Sequence, residues 1–272
     1  MLAGVAVGGI AGAAGTVEPH HPAVKQVRIT LRRLPEQFDG FRIAQLSDIH
    51  FGPFIGRADV ERALRLIEPF RPDLFVITGD FVSHPLGRRH GPAGARNAEP
   101  CAEILSHWKS CPVVTILGNH DHWNSAEIVS AALRNNGLGL LRNTNTPIER
   151  DGKRVWLAGV DDVLSSAADL NRTLRGIPKE ETTILLAHEP DFADEVAKFP
   201  VDLQLSGHSH GGQVQLPGIG PIILPDLARK YPLGLNRVGT LQVYTNCGLG
   251  VITPPVRFFC PPEITLMTLS QG

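Results

Sequence analysis

Excess charge, cysteine and long hydrophobic runs are all scarce in this sequence, and each shortage excludes a class of protein. The 272 residues carry 26 Lys+Arg against 27 Asp+Glu, for a formal net charge of −1. This balance provides no electrostatic basis for nucleic-acid binding through bulk charge. No internal repeat, heptad pattern or linker-like break divides the chain, so we expect a single domain.

The four cysteines, Cys101, Cys111, Cys247 and Cys260, follow no zinc-finger spacing. A Cys101–Cys111 disulfide is compatible with an exported protein, but buried free thiols are the favoured interpretation. The cysteines therefore do not decide between an oxidising and a reducing compartment.

The N-terminal residues 1–15 (MLAGVAVGGIAGAAG) are uncharged, and the first charged residue is Glu18. This stretch is shorter than the roughly twenty apolar residues that span a bilayer, and it lacks the basic n-region of a signal peptide. We interpret residues 1–23 as the remnant of an anchor or signal, with a disordered apolar terminus as the alternative. The folded domain is then expected over residues 24–272.

From residue 24 onward, short β-type runs alternate with helical stretches, which predicts an α/β fold. The predicted strands are residues 24–31, 41–46, 74–78, 113–117, 155–160, 183–187, 203–205, 241–245 and 264–269. The predicted helices are residues 58–69, 102–108 and 126–134, the last capped by Ser125. Residues 83–100 (SHPLGRRHGPAGARNAEP) are polar and basic and predict a mobile surface loop.

Asp, Asn and His residues follow five of these predicted strands. They are, in chain order, Asp48, His50, Asp80, Asn119, His120, His188, His208 and His210. Ligand sites in open α/β sheets form at the carboxyl ends of the strands. A single histidine in such a place would be interpreted as structural, but the recurrence at five strand ends predicts a shared site.

The residue types at these strand ends indicate metal chemistry. Imidazole nitrogens combined with carboxylate and amide oxygens, without thiolate, suit Mn, Fe or Zn. The set is too large for one tetrahedral ion and fits two ions about 3.5–4 Å apart, bridged by one carboxylate. Gly79, Gly118 and Gly207 would let the backbone approach this crowded centre without Cβ clashes.

These motifs occur in the order of a known family. They are D-x-H (Asp48, His50), GD (Gly79, Asp80), GNHD (residues 118–121), a single His188 and GHxH (His208, His210), and they span residues 47–210. This pattern resembles the calcineurin-like metallophosphoesterase superfamily. The tail segments GHSHGGQVQLPGIGP, RKYPLGLNRVG and NCGLGVITPPVRFFCPPEITLMTL look like its bacterial branch of membrane-associated phosphodiesterases. The wider family includes UDP-2,3-diacylglucosamine pyrophosphatases.

The resemblance implies a single-domain fold of two mixed β-sheets, packed face to face and flanked by helices (αββα). It also implies two divalent metal ions, with Mn favoured over Fe or Zn. One ion would be held by Asp48, His50, Asp80 and His210, and the other by Asp80, Asn119, His188 and His208, so that Asp80 bridges them. His120 would be catalytic without being a ligand, and its protonated ring would stabilise the phosphoryl charge or protonate the leaving oxygen.

One position departs from the family pattern. Many members read GDxxD, and the last Asp orients the catalytic histidine, but Ser83 stands at that place in this chain. Either another group, such as Asp121, orients His120, or the general-acid role is weaker. A leaving group of low pKa, such as a nucleoside phosphate, would need less help from a general acid.

The function implied by the resemblance is two-metal hydrolysis of phosphodiesters or phosphoanhydrides. The substrate would be a phosphorylated small molecule or a lipid-linked nucleotide such as UDP-2,3-diacylglucosamine. A phosphomonoesterase or protein phosphatase of the same fold is the alternative, while the near-zero charge disfavours a nuclease. A non-catalytic protein-binding scaffold is disfavoured by the complete ligand set, and the H-x-H-x-D-H block of metallo-β-lactamases is absent. We expect membrane association, peripheral or through the N-terminal segment, with a cytoplasmic protein as the alternative.

A few other residues are weaker candidates for substrate contacts. Residues 88–90 (RRH) would reach a substrate phosphate, although a solvated basic loop is the favoured interpretation. His122 and Trp123 would line the pocket, or Trp123 would pack at a helix start. Asn246 and Cys247 end a strand near the site and are not expected to be ligands.

Overall fold

The computed structural model describes residues 16–17, 20–83 and 91–272, and its frame consists of two six-stranded sheets. The first sheet contains, in spatial order, β2 (Ala23–Leu31), β16 (Glu263–Gln271), β3 (Arg42–Leu46), β4 (Leu74–Thr78), β5 (Val113–Ile116) and β6 (Gly139–Leu140). The second contains β13 (Gly234–Val238), β14 (Leu241–Thr245), β10 (Leu203–Ser206), β9 (Thr182–Leu186), β8 (Lys153–Gly159) and β7 (Thr144–Arg150). Two short ribbons pair β1 (Thr16–Val17) with β15 (Arg257–Phe258), and β11 (Gln215–Leu216) with β12 (Gly220–Pro221).

The strand directions place the carboxyl ends of the central strands at one edge of each sheet. Strands β3 to β6 run parallel, and β16 is antiparallel to β3. In the second sheet β8, β9, β10 and β14 run parallel, with β7 and β13 as antiparallel edge strands. Gln45 Nε2 on β3 donates a 2.9 Å hydrogen bond to the Ser206 carbonyl on β10. The two sheets therefore present their strand ends to each other.

Alternating side chains along the strands build three apolar layers. Ile43 and Val76 point between the sheets, where they meet Leu157 and other residues of the second sheet. Ala44 and Leu46 point the opposite way, into the layer under the helices. The helices are α1 (Arg57–Ile67), α2 (Ala98–Ser106), α3 (Asn119–Asn135), α4 (Leu170–Thr173) and α5 (Ala193–Val196). Helices α1 to α3 cover the first sheet, and α4 and α5 cover the second, which confirms the predicted αββα arrangement.

Every strand predicted from an apolar run is present, with boundaries within two residues of those expected. Strands β7 and β13 were not predicted. Both lie at a sheet edge and are built from half-buried and exposed residues. A strand that buries no continuous face carries no apolar run by which its sequence can be recognised.

Helix α3 begins at Asn119, seven residues before the predicted start at residue 126. Ser125 interrupts this helix with an extended backbone (φ 176°, ψ 105°). Its Oγ accepts a 3.4 Å hydrogen bond from the backbone N–H of Ile128, so Ser125 caps the second half of the helix. The predicted cap was therefore correct, but a further helical segment precedes it.

The predicted surface loop at residues 83–100 is wrong at its C-terminal end. Ala95–Asn97 forms a 3₁₀ turn, and α2 begins directly after it at Ala98. Ala95 and Ala98 are both buried, because these small side chains pack under the helical layer. Residues 84–90, including the basic triplet at 88–90, lie outside the described part of the chain.

All four cysteines are free thiols, so the alternative of a Cys101–Cys111 disulfide is wrong. Cys111 is half-buried, and the other three are buried. Within residues 20–83 and 91–272, no helix combines the length and apolar character needed to cross a bilayer. The apolar N-terminal segment at residues 1–15 lies outside the described residues.

Candidate metal centre

The predicted site residues sit in sharp turns at the strand ends. Five of them have positive φ angles without being glycine, namely Asp48 (50°), His50 (49°), Asp80 (58°), His208 (66°) and His210 (49°). This left-handed conformation costs about 1–2 kcal/mol for an ordinary residue and is uncommon. Its recurrence at one site indicates that tertiary contacts hold these side chains in a specific arrangement.

Two carboxylates and three imidazoles meet at the junction of the two sheets. Asp48 Oδ1 lies 3.3 Å from His210 Nε2. Asp80 Oδ2 lies 3.2 Å from His188 Nε2 and 3.5 Å from His50 Nε2. The Nε2 atoms of His50 and His210 are 3.0 Å apart. Side chains from four strand ends therefore aim their ligand atoms at one buried point.

Together with His120, these side chains form three overlapping groups, and within each group the ligand atoms lie within 4.8 Å of one another. The groups are Asp48–His50–His210, His50–Asp80–His120 and Asp48–Asp80–His188. The predicted ligands His208 and Asn119 are adjacent to these groups rather than members of them. The ring centroid of His208 lies 5.0 Å from that of His188, and Asn119 directly precedes His120.

Backbone carbonyls select which ring nitrogens face the centre. His188 Nδ1 donates to the Thr78 carbonyl at 2.6 Å, so its Nε2 is the ring nitrogen that faces Asp80. His208 Nε2 donates to the Asp226 carbonyl at 2.9 Å, so its lone pair is on Nδ1. A second hydrogen bond of this kind is the usual support of a metal-binding histidine.

The donor set fits a divalent cation. The side-chain Oδ1 of Asn119 is buried and has no hydrogen-bond partner among the described residues, and such an orphan oxygen is costly unless a ligand satisfies it. Burial, together with the neighbouring His188, lowers the pKa of His208 to about 4. A neutral imidazole with a free lone pair is the form that binds metal.

The two carboxylates of the centre are buried, and in the metal-free protein His188 offsets part of their charge. Burial raises the pKa of Asp80, and the nearby Asp48 charge adds to this effect although His188 opposes it. Burial would lower the pKa of His188, but the Asp80 carboxylate outweighs it and raises that pKa well above its usual value. A bound cation would supply positive charge where the fold has assembled two buried acids.

Two glycines give the space that this crowding requires. A Cβ atom at Gly207 would overlap the side-chain oxygens of Ser47 and Asp48. A Cβ atom at Gly118 would lie 2.8 Å from both the Asp80 nitrogen and His188 Cε1. The glycines predicted to admit the backbone therefore lie against the candidate ligands.

His120 lies at the margin of the centre and is half-buried. Its backbone N–H donates to Asp80 Oδ1 at 2.8 Å. Its ring packs between His50 and Trp123, with centroid distances of 4.6 and 4.9 Å. Trp123, which was predicted either to line the pocket or to pack, thus contacts the predicted catalytic ring.

Asp121 holds the backbone around the site. Its two oxygens accept hydrogen bonds from four N–H groups, those of Asp80, Phe81, Val82 and Gly118, at 2.9–3.3 Å. These bonds occupy the four acceptor positions of a carboxylate. This argues against Asp121 as the group that orients the ring of His120.

Sequence reasoning missed a second acidic cluster at the same edge. Asp161 and Asp162 follow β8, whose carboxyl end lies beside that of β9. Asp161 binds His122 Nε2 and Arg142 Nε, each at 2.7 Å. Burial raises the pKa of Glu189, and its hydrogen bond with Asp162 raises it further. The sequence contained the information needed to predict this cluster, because strand 155–160 was predicted and two aspartates directly follow it.

Asn246 and Cys247 were not expected to be ligands, and the structure gives each another contact. Asn246 donates to Thr265 Oγ1 at 2.8 Å and accepts from the Gly248 N–H at 2.7 Å. Cys247 lies beside Cys260, and the two thiols share a hydrogen bond that raises the pKa of Cys247. Both residues therefore support the backbone behind the site.

Comparison with known proteins places the chain among hydrolases. A family model described as Calcineurin-like phosphoesterase matches residues 41–212, which is more than half of the chain. The Uncharacterized metallophosphoesterase YkuE of Bacillus subtilis (strain 168) is 37% identical over 268 residues, covering 97% of this chain and 91% of that protein. Phosphodiesterase YaeI of Escherichia coli (strain K12) is 29% identical over 236 residues, covering 84% of this chain and 82% of that protein.

In two further comparisons the match spans only part of the related protein. The Transmembrane protein with metallophosphoesterase domain of Danio rerio is 32% identical over 266 residues, but the match spans only 58% of that protein against 92% of this chain. Among solved structures, Haemophilus influenzae NAD nucleotidase superposes with a TM-score of 0.51 at 15% identity, covering 77% of this chain and 45% of that one. Given the matched family model and the relatives above, the chain belongs to the calcineurin-like phosphoesterase family and is a metallophosphoesterase.

Proposed function

We propose that this metallophosphoesterase hydrolyses phosphodiesters or phosphoanhydrides with two divalent metal ions, by in-line attack of an activated water. The observation that carries the proposal is the position of Asp80. Its Oδ2 lies 3.5 Å from His50 Nε2 on one side and 3.2 Å from His188 Nε2 on the other. A carboxylate shared by two histidine groups suits a bridge between two ions.

Two ligand sets meet at this carboxylate. The first set is Asp48, His50, Asp80 and His210, and the second is Asp80, Asn119, His188 and His208. When bound, two ions would neutralise phosphoryl oxygens and lower the pKa of the attacking water. The donors combine imidazole, carboxylate and amide without thiolate, which suits Mn, Fe or Zn, and the family resemblance favours Mn²⁺ among them.

His120 is proposed to act on the phosphoryl group or on the leaving oxygen. Its backbone is tied to the bridging carboxylate of Asp80, and its ring is held by contacts with His50 and Trp123. A half-buried ring in this position would meet a substrate held at the centre. As a proton donor it would then stabilise developing charge.

The substrate class rests on similarity. The Escherichia coli relative carries the name Phosphodiesterase YaeI, which favours diesters over the alternative of phosphomonoesters or phosphoproteins. A lipid-linked nucleotide such as UDP-2,3-diacylglucosamine is the specific candidate. Membrane association is proposed with it, supported by the Danio rerio relative that is named a transmembrane protein, and a cytoplasmic location is the alternative.

Hydrolysis of a substrate panel with Mn²⁺ tests the proposed reaction. The panel contains bis-p-nitrophenyl phosphate, p-nitrophenyl phosphate, UDP-2,3-diacylglucosamine and a phosphopeptide. We expect Mn²⁺-dependent cleavage of a diester or pyrophosphate, with chelator-treated protein inactive. Faster cleavage of the monoester or phosphopeptide would favour the alternative. Full activity after chelation would overturn the two-metal proposal, and inactivity on every substrate would favour a non-catalytic scaffold.

A further inference from the structure

We propose that an exposed apolar surface beside the metal centre docks this protein onto membrane lipid. This apolar face consists of Leu216, Ile219, Ile222, Ile223, Val256 and Phe259. It lies on the β11–β12 hairpin and on the segment around β15. Docking itself does not depend on the proposed reaction.

The exposure of the hairpin is unusual for its residue types. Ile219 is 77% exposed, Ile223 is 76% exposed and Ile222 is 56% exposed. Single exposed hydrophobic residues are ordinary on soluble proteins, but a contiguous group of large ones marks an interaction site. Three isoleucines within five residues of one hairpin form such a group.

Backbone contacts join the hairpin to the segment around β15. The N–H of Ile222 donates to the Val214 carbonyl at 3.2 Å, and Val214 forms a β-bridge with Phe258. The ring of Phe258 packs at 4.6 Å on that of Phe259, an exposed member of the face. The two segments that carry the six residues are therefore neighbours in the fold.

The N-terminal part of the chain reaches the same surface. Strand β1 (Thr16–Val17) pairs with β15 (Arg257–Phe258). Residues 1–15 directly precede this strand, and their sequence contains no charged side chain. A stretch of sequence without charge is therefore joined to the chain at the edge of the apolar face.

The lack of charged residues around the apolar face favours membrane lipid as its binding partner. Residues 213–225 and 246–256 contain no Asp, Glu, Lys or Arg. The adjoining Arg257 is fully buried and donates to the backbone carbonyls of Cys247 and Gly250. The exposed Arg229 and Lys230 beyond the hairpin are paired with Asp226 and Asp194. A neutral apolar surface suits insertion into the acyl boundary of a bilayer, and it offers no electrostatic attraction to anionic headgroups.

The face borders the metal centre. A Cβ atom at Gly212 would lie 2.6 Å from Pro221 Cβ, so the hairpin packs directly against the residues after His210. Asp226, just beyond the hairpin, accepts the hydrogen bond that orients His208. Docking through this face would therefore bring the centre close to the membrane surface.

Vesicle co-sedimentation of the full chain tests this proposal. The docking variant is I219N/I223N, and the matched control is L66N/I128N, which replaces two exposed apolar residues on the distant helices α1 and α3. We expect the docking variant to lose about tenfold or more of its partition onto phosphatidylcholine vesicles, because two large side chains no longer enter the acyl boundary. The control should bind as the wild type does.

Several outcomes would overturn the proposal. They are equal binding by the docking variant and the wild type, no binding by the wild type, and wild-type binding only when phosphatidylglycerol is added. Concentration-dependent self-association that the docking variant abolishes would instead assign the face to a second copy of the chain. Mn²⁺-dependent hydrolysis of a soluble diester by the docking variant checks that it is folded, and it separates failed docking from failed chemistry.

Discussion

Two clusters of histidine and aspartate lie at the same edge of this molecule, and they differ in how their charges are balanced. In one, Asp161 binds His122 and Arg142 with two 2.7 Å contacts, so acid and base neutralise each other. In the other, Asp48 and Asp80 are buried among histidines at 3.2–3.9 Å. Five residues of that second cluster also have left-handed backbones.

A ligand site differs from a structural ion pair in how far its polar groups are satisfied by one another. The Asp161 cluster uses its hydrogen-bonding capacity internally, and burial is offset by the partner charges. The Asp80 cluster keeps an unsatisfied Asn119 oxygen and a carboxylate whose pKa is raised by burial. Residue types alone do not separate the two cases, whereas partner geometry does.

The largest expected effect is on activity. Asp80→Asn removes the shared carboxylate charge and should lower Mn²⁺-dependent diester hydrolysis by roughly 1,000-fold or more. The melting temperature of the metal-free variant should not fall, because a buried acid with a raised pKa opposes folding at neutral pH. Asp161→Asn should show the reverse, with lower stability and activity within about tenfold of wild type. Equal activity losses in the two variants would show that the clusters do not differ in this way.

Metal addition should separate the clusters by stability. At a hundredfold excess over its dissociation constant, a ligand stabilises the folded state by about 2.7 kcal/mol per site, which for a chain of this size raises Tm by roughly 5–10 °C. Differential scanning fluorimetry should show this rise in wild type and in Asp161→Asn. An undiminished rise in Asp80→Asn would place the metal elsewhere.

A smaller, pH-dependent effect is expected at the Asp161 cluster. Burial disfavours the charged form of His122, but the hydrogen bond to Asp161 outweighs it and raises the His122 pKa above its usual 6.5, with Asp162 adding to the rise and Arg142 opposing it. The stabilisation is therefore complete below pH 6.5 and is lost as the pH rises through the folded-state pKa. Urea unfolding should show His122→Gln destabilised by about 1 kcal/mol at pH 6 and by less at pH 9. A constant difference across this range would contradict the ion-pair interpretation, and His107→Gln, at an exposed position, is the control.

The smallest expected effect concerns Ser83, which is buried near the site. If the general-acid role of His120 is weak here, Ser83→Asp should raise hydrolysis by about threefold for diesters with leaving groups of high pKa. Leaving groups of low pKa should gain less, and Ser83→Asn provides a control of similar size without the charge. Equal gains across a graded series of leaving groups would count against the hypothesis.

Much of the site could be predicted because each buried strand is recognisable from its own short stretch of sequence. An apolar run such as residues 74–78 marks a buried strand, and Asp80 follows it in sequence. Asp161 also follows a predicted strand, but it was missed because it belongs to none of the metallophosphoesterase motifs that identified the other site residues. Asp121 was one candidate for orienting His120, and its four backbone N–H partners could not be predicted, because no sequence pattern indicates them.

Local patterns of hydrophobicity and turn formation were enough to predict where the strands lie along the chain, which residue types follow them and which glycines admit these residues. Which polar residues share a centre depends on how the two sheets pack, since this packing brings Asp48 and His208 together across 160 positions of the chain. The tertiary structure also decided that Ile219 and Ile223 face outward. Whether an apolar side chain is core or surface depends on what packs above it, and that is a property of the assembled fold.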